Sequence, residues 1–399
     1  MTESDPAITE PLIAVINAGS SSLKFTFYEG DERLLSGQVD GLGVRPSFSA
    51  RGLNGASIDP PKLGATPPST PSDVLPLIMP WARGYLGHRS IAALGHRVVH
   101  GGLHHSRPAL LTAELLAELE SLVPLAPLHE PHNLTPIRMA MSLNPGLPQV
   151  ACFDTAFHRS ISAVEEAFAL PYRFFEEGVR RYGFHGLSYE YIASELPTRA
   201  PEVAHGRVIV LHLGNGCSAC ALRGGKSVTT TMSFTALDGL PMGTRCGALD
   251  PGVILYLIQQ KGMSGEAVAD LLYRRAGMLG LSGISSDFRE LLTSPEPRAR
   301  FAVEVFCNSV IRHIGSLAAS LGGLDGIVFT AGIGENAPLV RAAICQGCAW
   351  LGLKLDETAN RENRERIHAE GSQLAAYVIQ TDENRMIARH TRAFLSSPE

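Results

Sequence analysis

The side chains best equipped for chemistry are a hydroxyl-rich turn, two arginines and two acids that lie far apart along the chain. Asn17-Ala18-Gly19-Ser20-Ser21-Ser22-Leu23-Lys24 combines backbone N–H groups, rotatable hydroxyls and a cation. That set suits a ligand rich in anionic oxygens, such as a phosphate, although a solvated hairpin turn has the same composition. Arg97 sits between apolar neighbours in Ile91 to Gly102, and Arg245 stands among glycines in Pro241 to Gly252. Asp154 and Glu383 add carboxylates. Phosphoryl transfer needs such parts, because most of its catalysis is positioning and neutralisation of charge spreading over the transferred oxygens.

Short apolar strands ending in glycine-bearing turns must position these groups. Ile13 to Ile16 reads as a strand; beyond the turn, Leu23, Phe25 and Phe27 alternate with Ser22, Lys24 and Thr26 as a returning strand. Arg207 to Gly225 repeats this design, with a strand from Val208 to Leu213, a Gly214-Asn215-Gly216 turn and a second return. The repetition predicts two similar domains facing a ligand cleft, in keeping with a length of 399 residues. Asp325 to Asn336 supplies a third strand, a Gly-x-Gly turn and a helix onset near Pro338.

Between these units, Asp59-Pro60-Pro61 and Pro67-Pro68-Ser69-Thr70-Pro71 read as an irregular surface excursion. Thr112 is a helix cap for a segment running to Pro124, and Pro127 to Asn133 reads as a proline-held loop. Gln149 to His158 is a short strand ending on Asp154; Arg180 to Gly186 is a glycine-flanked loop before a helix from Ser188; helix signals also follow Val253. Asp287 either caps a helix or accepts from a ligand, capping being the commoner use.

Several functions fit poorly. A net charge of −5 without a basic block argues against a nucleic-acid surface. Met1 to Pro11 is acidic and lacks signal-peptide features, and no apolar run reaches the ~18 residues of a membrane span; a cytoplasmic protein is expected. Seven cysteines favour reduced thiols, and the Cys217/Cys220 and Cys345/Cys348 pairs read as small buried groups. Six histidines lie between His96 and His132 without a metal-ligand frame. Gly225-Lys226-Ser227 is not a P-loop, because Cys220 stands where the leading glycine belongs. Gly332-x-Gly334-x-x-Ala337 followed by Asp356 fits a dinucleotide fingerprint, which makes an NAD-dependent dehydrogenase the rival reading. It leaves the serine turn and both arginines without a role.

From about Ile13 to His390 the chain resembles the acetate kinases of the acetate and sugar kinase, Hsp70 and actin superfamily. Nine collinear motifs carry the likeness: Asn17 to Lys24, Gly95 to Gly102, Phe153 to His158, Arg181 to Gly186, His212 to Gly216, Gly243 to Asp250, Ile284 to Arg289, Phe329 to Asn336, and Thr381 to Arg389. The resemblance implies an α/β fold of duplicated ribonuclease-H-like (actin-like ATPase) domains with an interdomain active-site cleft. It divides the chain into 1–154 plus 387–399 and 155–386. It also implies a homodimer and reversible transfer of the ATP γ-phosphoryl group to acetate, giving acetyl phosphate and ADP, by direct in-line attack.

By position the resemblance makes Asn17 and Glu383 the Mg²⁺ partners, manganese being the substitute ion, and puts Ser20, Ser22 and Lys24 in the turn facing the phosphates. Arg97 and Arg245 bind the carboxylate and the moving phosphoryl group; Asp154 lies beside the acceptor; His185, with His129 as a second candidate, donates to the phosphoryl. His212, Asn215 and Gly216 take the β- and γ-phosphates, and Asp287, Phe288, Arg289, Gly332, Ile333, Gly334 and Asn336 the nucleoside. Val99, Leu128, Phe184 and Ala236 line the acyl pocket. Ala236 stands where the family usually has proline, which opens room for propionate. Glu130, Cys246 and Ala248 also depart from the usual Asn, Ser and Asp. A sugar kinase, or an ATP-driven binding protein without catalysis, are the other classes consistent with the superfamily.

Overall fold

Leu12 to Ile16 is buried residue after residue, as expected of a strand covered on both faces, and it forms the middle of a sheet. The computed structural model describes residues 10–19, 22–61, 68–87, 89–127 and 129–396, and these divide into two compact units, one made of the chain up to Ala156 together with the segment from Asp382, the other of Phe157–Thr381.

In the first unit, β1 (Leu12–Ala18), β2 (Ser22–Glu29), β3 (Glu32–Asp40) and β4 (Ser47–Gly52) form an antiparallel run. After α1 (Pro71–Tyr85), β5 (Ile91–Val98) joins β1 in parallel. Next come β6 (Ala109–Leu110), α2 (Ala113–Ser121), α3 (Glu130–Leu143) and β7 (Gln149–Phe153). Among the described residues the sheet order is β4-β3-β2-β1-β5-β7-β6.

The second unit starts with α4 (Ala163–Glu166), α5 (Tyr172–Glu176) and α6 (Gly186–Arg199). Its antiparallel run is β8 (Arg207–Leu213), β9 (Cys217–Arg223) and β10 (Lys226–Thr230). The helices α7 (Pro251–Gln259), α8 (Gly265–Arg274), α9 (Gly277–Ser282), α10 (Phe288–Thr293) and α11 (Pro297–Leu321) follow. Then β11 (Gly326–Thr330), α12 (Ala331–Asn336), α13 (Pro338–Gly347), α14 (Glu357–Arg361) and β12 (Ala375–Val378) complete a sheet of order β10-β9-β8-β11-β12. The last helix, α15 (Glu383–Ser396), belongs to the first unit.

Three antiparallel strands followed by two parallel ones occur in both sheets, β3-β2-β1-β5-β7 matching β10-β9-β8-β11-β12. The duplication expected from the two glycine turns is therefore one of topology.

Packing explains the face assignments. Leu23, Phe25 and Phe27 join Val74, Leu75 and Ile78 of α1 in one core. Phe25 is wholly buried, and trimming such a ring to alanine typically costs ~3–5 kcal/mol. The opposite face was expected to be polar, but Thr26 is buried there, because α15 lies over it and Asn384 Nδ2 donates to Thr26 Oγ1 at 2.9 Å. Lys24, on the same face, remains exposed.

Two proline readings are corrected. Pro71 does not exclude regular structure; it occupies the first turn of α1, where a missing N–H costs nothing, and Thr70 and Asp73 form a reciprocal capping box. Likewise Pro127 to Asn133 is not all loop, since α3 begins at Glu130 and Pro131 falls in its first turn. The Gly332-x-Gly334 turn lies inside α12, and Asp356 caps α14 by accepting the Thr358 and Ala359 N–H groups. That removes the geometry on which a dinucleotide reading depends.

Candidate active site

Ligand-facing residues of open α/β sheets gather at the carboxyl ends of parallel strands, and both sheets put their reactive side chains there. In the first unit Ile16 pairs with His96 and Arg97 with Cys152, so Asn17, Arg97 and Asp154 fall at neighbouring ends of β1, β5 and β7. Arg97 Nε and Nη2 donate to Asp154 Oδ2 at 3.0 and 2.5 Å. Burial works against the guanidinium charge, but Asp154, Glu383 and Glu130 outweigh it and raise the Arg97 pKa. Asn133 on α3 fixes the surrounding backbone: its Oδ1 accepts the Val99 N–H at 3.0 Å and its Nδ2 donates to the Ala18 carbonyl at 2.6 Å.

Asn17 is half-buried opposite Lys24, and the turn after it closes through the Gly19 N–H to the Ser22 carbonyl at 2.8 Å. Lys24 lines a cavity of about 330 Å³ with Tyr28, Arg33, Asp382 and Asn384. Glu383 opens α15. Val99 is buried, and His129 precedes α3 as its cap residue. Ser20 and Leu128 lie outside the described residues, as do Pro67 and most of the acidic N-terminal stretch.

In the second unit the parallel strands end in neutral donors. His185 stacks on His212 with ring centroids 4.2 Å apart. His185 Nδ1 bonds Ser218 Oγ at 2.8 Å, while His212 Nδ1 bonds Ser188 Oγ at 2.8 Å and Ser188 in turn bonds Thr381 Oγ1 at 2.9 Å. His185 has φ +58°, an uncommon conformation for a side-chain-bearing residue and one that clusters at functional sites. A Cβ on Gly216 would sit 3.2 Å from His185 Nε2 and 3.8 Å from Arg245 Nη2, so bare backbone, imidazole and guanidinium converge on one spot. Arg245 is aimed by donating from Nη1 to the Ala236 carbonyl at 2.8 Å, and Phe184 is buried next to His185.

A cavity of about 610 Å³ adjoins the Gly214 turn, lined by Asn215, Asp287, Phe288, Arg289, Gly332, Ile333 and Asn336. Its volume falls in the range of small-molecule sites. Asp287 caps α10 and also holds Arg289, through contacts of 2.5 to 3.1 Å. Gly334 is not among its lining residues; its Cα faces Phe329 and the Leu211 carbonyl. The helix bearing Gly332 is fixed by the buried Arg341, which donates to the Gly334 and Glu335 carbonyls and to Asn360 and Asn363.

Of the cysteine pairs, Cys217 and Cys220 are buried on β9 as free thiols, and burial pushes each up to about 12. Cys345 and Cys348 are buried free thiols at the end of α13, likewise raised by burial. The buried rings of His96 and His158 are hydrogen-bonded, to Gln149 and to Ser227 and Phe184, and burial lowers each to about 4.

The acetokinase family profile matches residues 12–389. The chain belongs to the acetokinase family. An acetate kinase of Nitrobacter hamburgensis is 54% identical over 391 residues, covering 96% of each chain, and one of Rhodopseudomonas palustris is 49% identical over 95% of this chain and 97% of the relative. Among solved structures, a Francisella tularensis propionate kinase superposes with a TM-score of 0.88 at 34% identity, covering 95% and 98% of the two chains. A Porphyromonas gingivalis acetate kinase gives 0.86 at 33% identity, covering 97% and 100%. Membership of the acetokinase family agrees with the paired sheets, and the NAD-dependent reading is set aside.

Sequence reasoning missed Ser188, Ser218 and Thr381, which orient the two imidazoles, and Tyr189, whose hydroxyl also bonds Ser218. Serines at these spacings carry no signal until β8, β9 and α6 are assembled. Glu130 was visible only as a departure from the family pattern.

Proposed function

We propose that this acetokinase-family chain is a phosphotransferase that moves the γ-phosphoryl group of ATP to the carboxylate of acetate, reversibly, giving acetyl phosphate and ADP. What carries the reading is the chemistry gathered at the strand ends: an arginine–carboxylate pair in one unit, and an arginine, two imidazoles and a glycine turn beside a nucleoside-sized cavity in the other. In it an acetate oxygen attacks the γ-phosphorus in line, one O–P bond forms, and the bond to the β-phosphate oxygen breaks with its electrons leaving on ADP. Acetate is already ionised at neutral pH, so no strong base is needed. Asp154 orients Arg97, whose planar donor fork suits a carboxylate. Arg245 and His185 face the charge that grows on the transferred oxygens, and His212, Asn215 and Gly216 hold the β- and γ-phosphates. Ser22 and Lys24 face the phosphates from the first turn. Asp287, Phe288, Arg289, Gly332, Ile333 and Asn336 take the nucleoside, and Val99, Phe184 and Ala236 the methyl group.

The amide oxygen of Asn17 and the carboxylate of Glu383 are hard oxygen donors of the kind magnesium accepts alongside waters and phosphate oxygens. A Mg²⁺ ion held there would neutralise phosphate charge. A homodimer is supported by α7, on which Val253, Leu255, Tyr256 and Ile258 are exposed. That none of the seven cysteines is in a disulfide supports a reducing, cytoplasmic setting; no helix of the described residues is long and apolar enough to cross a membrane.

Hydroxylamine trapping with Mg-ATP tests the reaction, since an acyl hydroxamate forms only from an acyl phosphate. Acetate should give the highest kcat/KM and propionate a measurable second; the absence of hydroxamate with acetate, propionate and butyrate alike would overturn the proposal. The superposing propionate kinase is the reason to run the acids side by side.

A further inference from the structure

Glu130 is a fully buried acid to which the reaction just described gives no part. It opens α3 at the level where β5 and β7 end, and its Oε2 accepts the His100 N–H at 3.1 Å. Its other oxygen, Oε1, has no hydrogen-bond partner among the described residues. Two charged side chains act on it, Asp154 from the end of β7 and Arg97 from β5. His100, which donates its backbone N–H to Glu130, uses its own ring Nδ1 to accept the Gly102 N–H, and His129 is the residue before α3.

Arg97 thus has three carboxyl groups acting on one positive charge: Asp154, which it holds by hydrogen bonds, Glu383 and Glu130. A substrate carboxylate must share that same charge. Each further ionised acid near the guanidinium weakens its hold on an incoming anion, and away from bulk water the loss is larger than it would be at the surface.

We propose that Glu130 is a positioning residue for the carboxylate substrate, a buried side chain that acts through Arg97 and weakens the binding of that substrate whenever it carries charge. The inference rests on Arg97 being the carboxylate-binding arginine. Burial pushes the Glu130 carboxyl up to about 8, Asp154 adding to the effect and the His100 N–H and Arg97 opposing it. At neutral pH the group is a neutral acid. As pH rises through about 8 it loses its proton and a new negative charge appears beside Arg97, while acetate stays ionised throughout. Affinity for acetate should therefore fall in mildly alkaline solution; affinity for Mg-ATP, whose nucleoside and β- and γ-phosphate residues belong to the other unit and whose partners in the first unit, Asn17, Ser22, Lys24 and Glu383, do not include Arg97, should not follow it.

The test is KM for acetate and for Mg-ATP against pH, from about 6.5 to about 9.5, in the wild type and in the E130Q and E130D variants, with circular dichroism to verify folding. In the wild type the acetate KM should rise through the midpoint by on the order of tenfold, the effect of about one unit of coupling between Glu130 and the bound carboxylate, and then level off, with the Mg-ATP KM unchanged. Glu130→Gln, which cannot ionise, should abolish the climb, and Glu130→Asp should keep it with a displaced midpoint. An acetate KM that is flat in the wild type, or that climbs equally in E130Q, overturns the proposal. If E130Q does not fold, the wild-type and E130D profiles still decide, because two flat profiles or two coincident midpoints leave Glu130 without a part. Arg97→Ala separates the layers: an unchanged acetate KM in that variant removes Arg97 from the acceptor site, whereas a raised KM combined with pH-independence in the wild type removes Glu130 alone.

Discussion

Where β1, β5 and β7 end, the first unit carries an amide, a guanidinium and carboxylates; where β8 and β11 end, the second carries two stacked imidazoles, a glycine turn and hydroxyls. The strand plan beneath them is the same. What a duplicated sheet supplies is therefore a location, the carboxyl ends of its parallel strands, while the chemistry comes from side chains that differ between the copies. Neutral donors and bare backbone let a polyphosphate approach closely, as Gly216 shows, where any Cβ would crowd His185. A small carboxylate offers little surface to grip, so its site depends on local charge and on which neighbouring acids are ionised.

The division can be broken most sharply at the two arginines. Arg245→Ala in the second unit should lower kcat by on the order of 10² to 10³ or more, as for other donors aimed at transition-state charge; near-normal turnover in a stopped assay would remove it from the reaction. Arg97→Ala in the first unit should act chiefly on acetate, raising its KM by roughly 10- to 100-fold with the Mg-ATP KM changed by less than about threefold. Equal changes in both constants would erase the distinction between the units.

Stability against pH sharpens the same comparison. His96 in the first unit and His158 in the second are held neutral at about 4, against an ordinary value of 6.5. Below 6.5 the unfolded chain takes up protons that the native one does not, so the stability associated with each ring is full above that pH and declines as pH falls toward about 4. Glu130 works oppositely: raised from 4.5 to about 8, it contributes most below 4.5 and loses stability as pH rises toward about 8. Thermal unfolding should show His96→Gln and His158→Gln each flattening the profile between about 4 and 6.5, and Glu130→Gln removing the decline between 4.5 and about 8, which stands alone above 6.5. A variant with the wild-type slope would mean that its group is not buried in solution.

The smallest effect is expected at the acyl pocket. Ala236, whose carbonyl accepts from Arg245, bears on substrate size. Ala236→Pro should lower the propionate-to-acetate ratio of kcat/KM by about tenfold, the lower end of the roughly 10- to 200-fold that one methylene commands in an apolar pocket. A ratio that does not move would exclude Ala236 from the lining.

Much of this was legible in the chain. Alternation in Leu23 to Phe27, the Thr112 cap and the glycine turns at Gly214 to Gly216 and Gly224-Gly225 are local signals, and local signals set strands, caps and turns. The repeated strand plan followed from their order, and the family from the resemblance of nine collinear motifs. Other features depended on contacts between distant segments. Thr26 is buried because a helix more than 350 residues later covers it. Pro71 and Pro131 start helices rather than prevent them, a choice made by the residues that cap and pack each first turn. Side-chain types could nominate Arg97, Asp154, His185 and His212, but only tertiary packing paired the first two, stacked the second two and left Glu130 buried beside Arg97 and Asp154. Ionisation depends on burial and on charges brought near by folding, and neither is written in the spacing of residues along the chain.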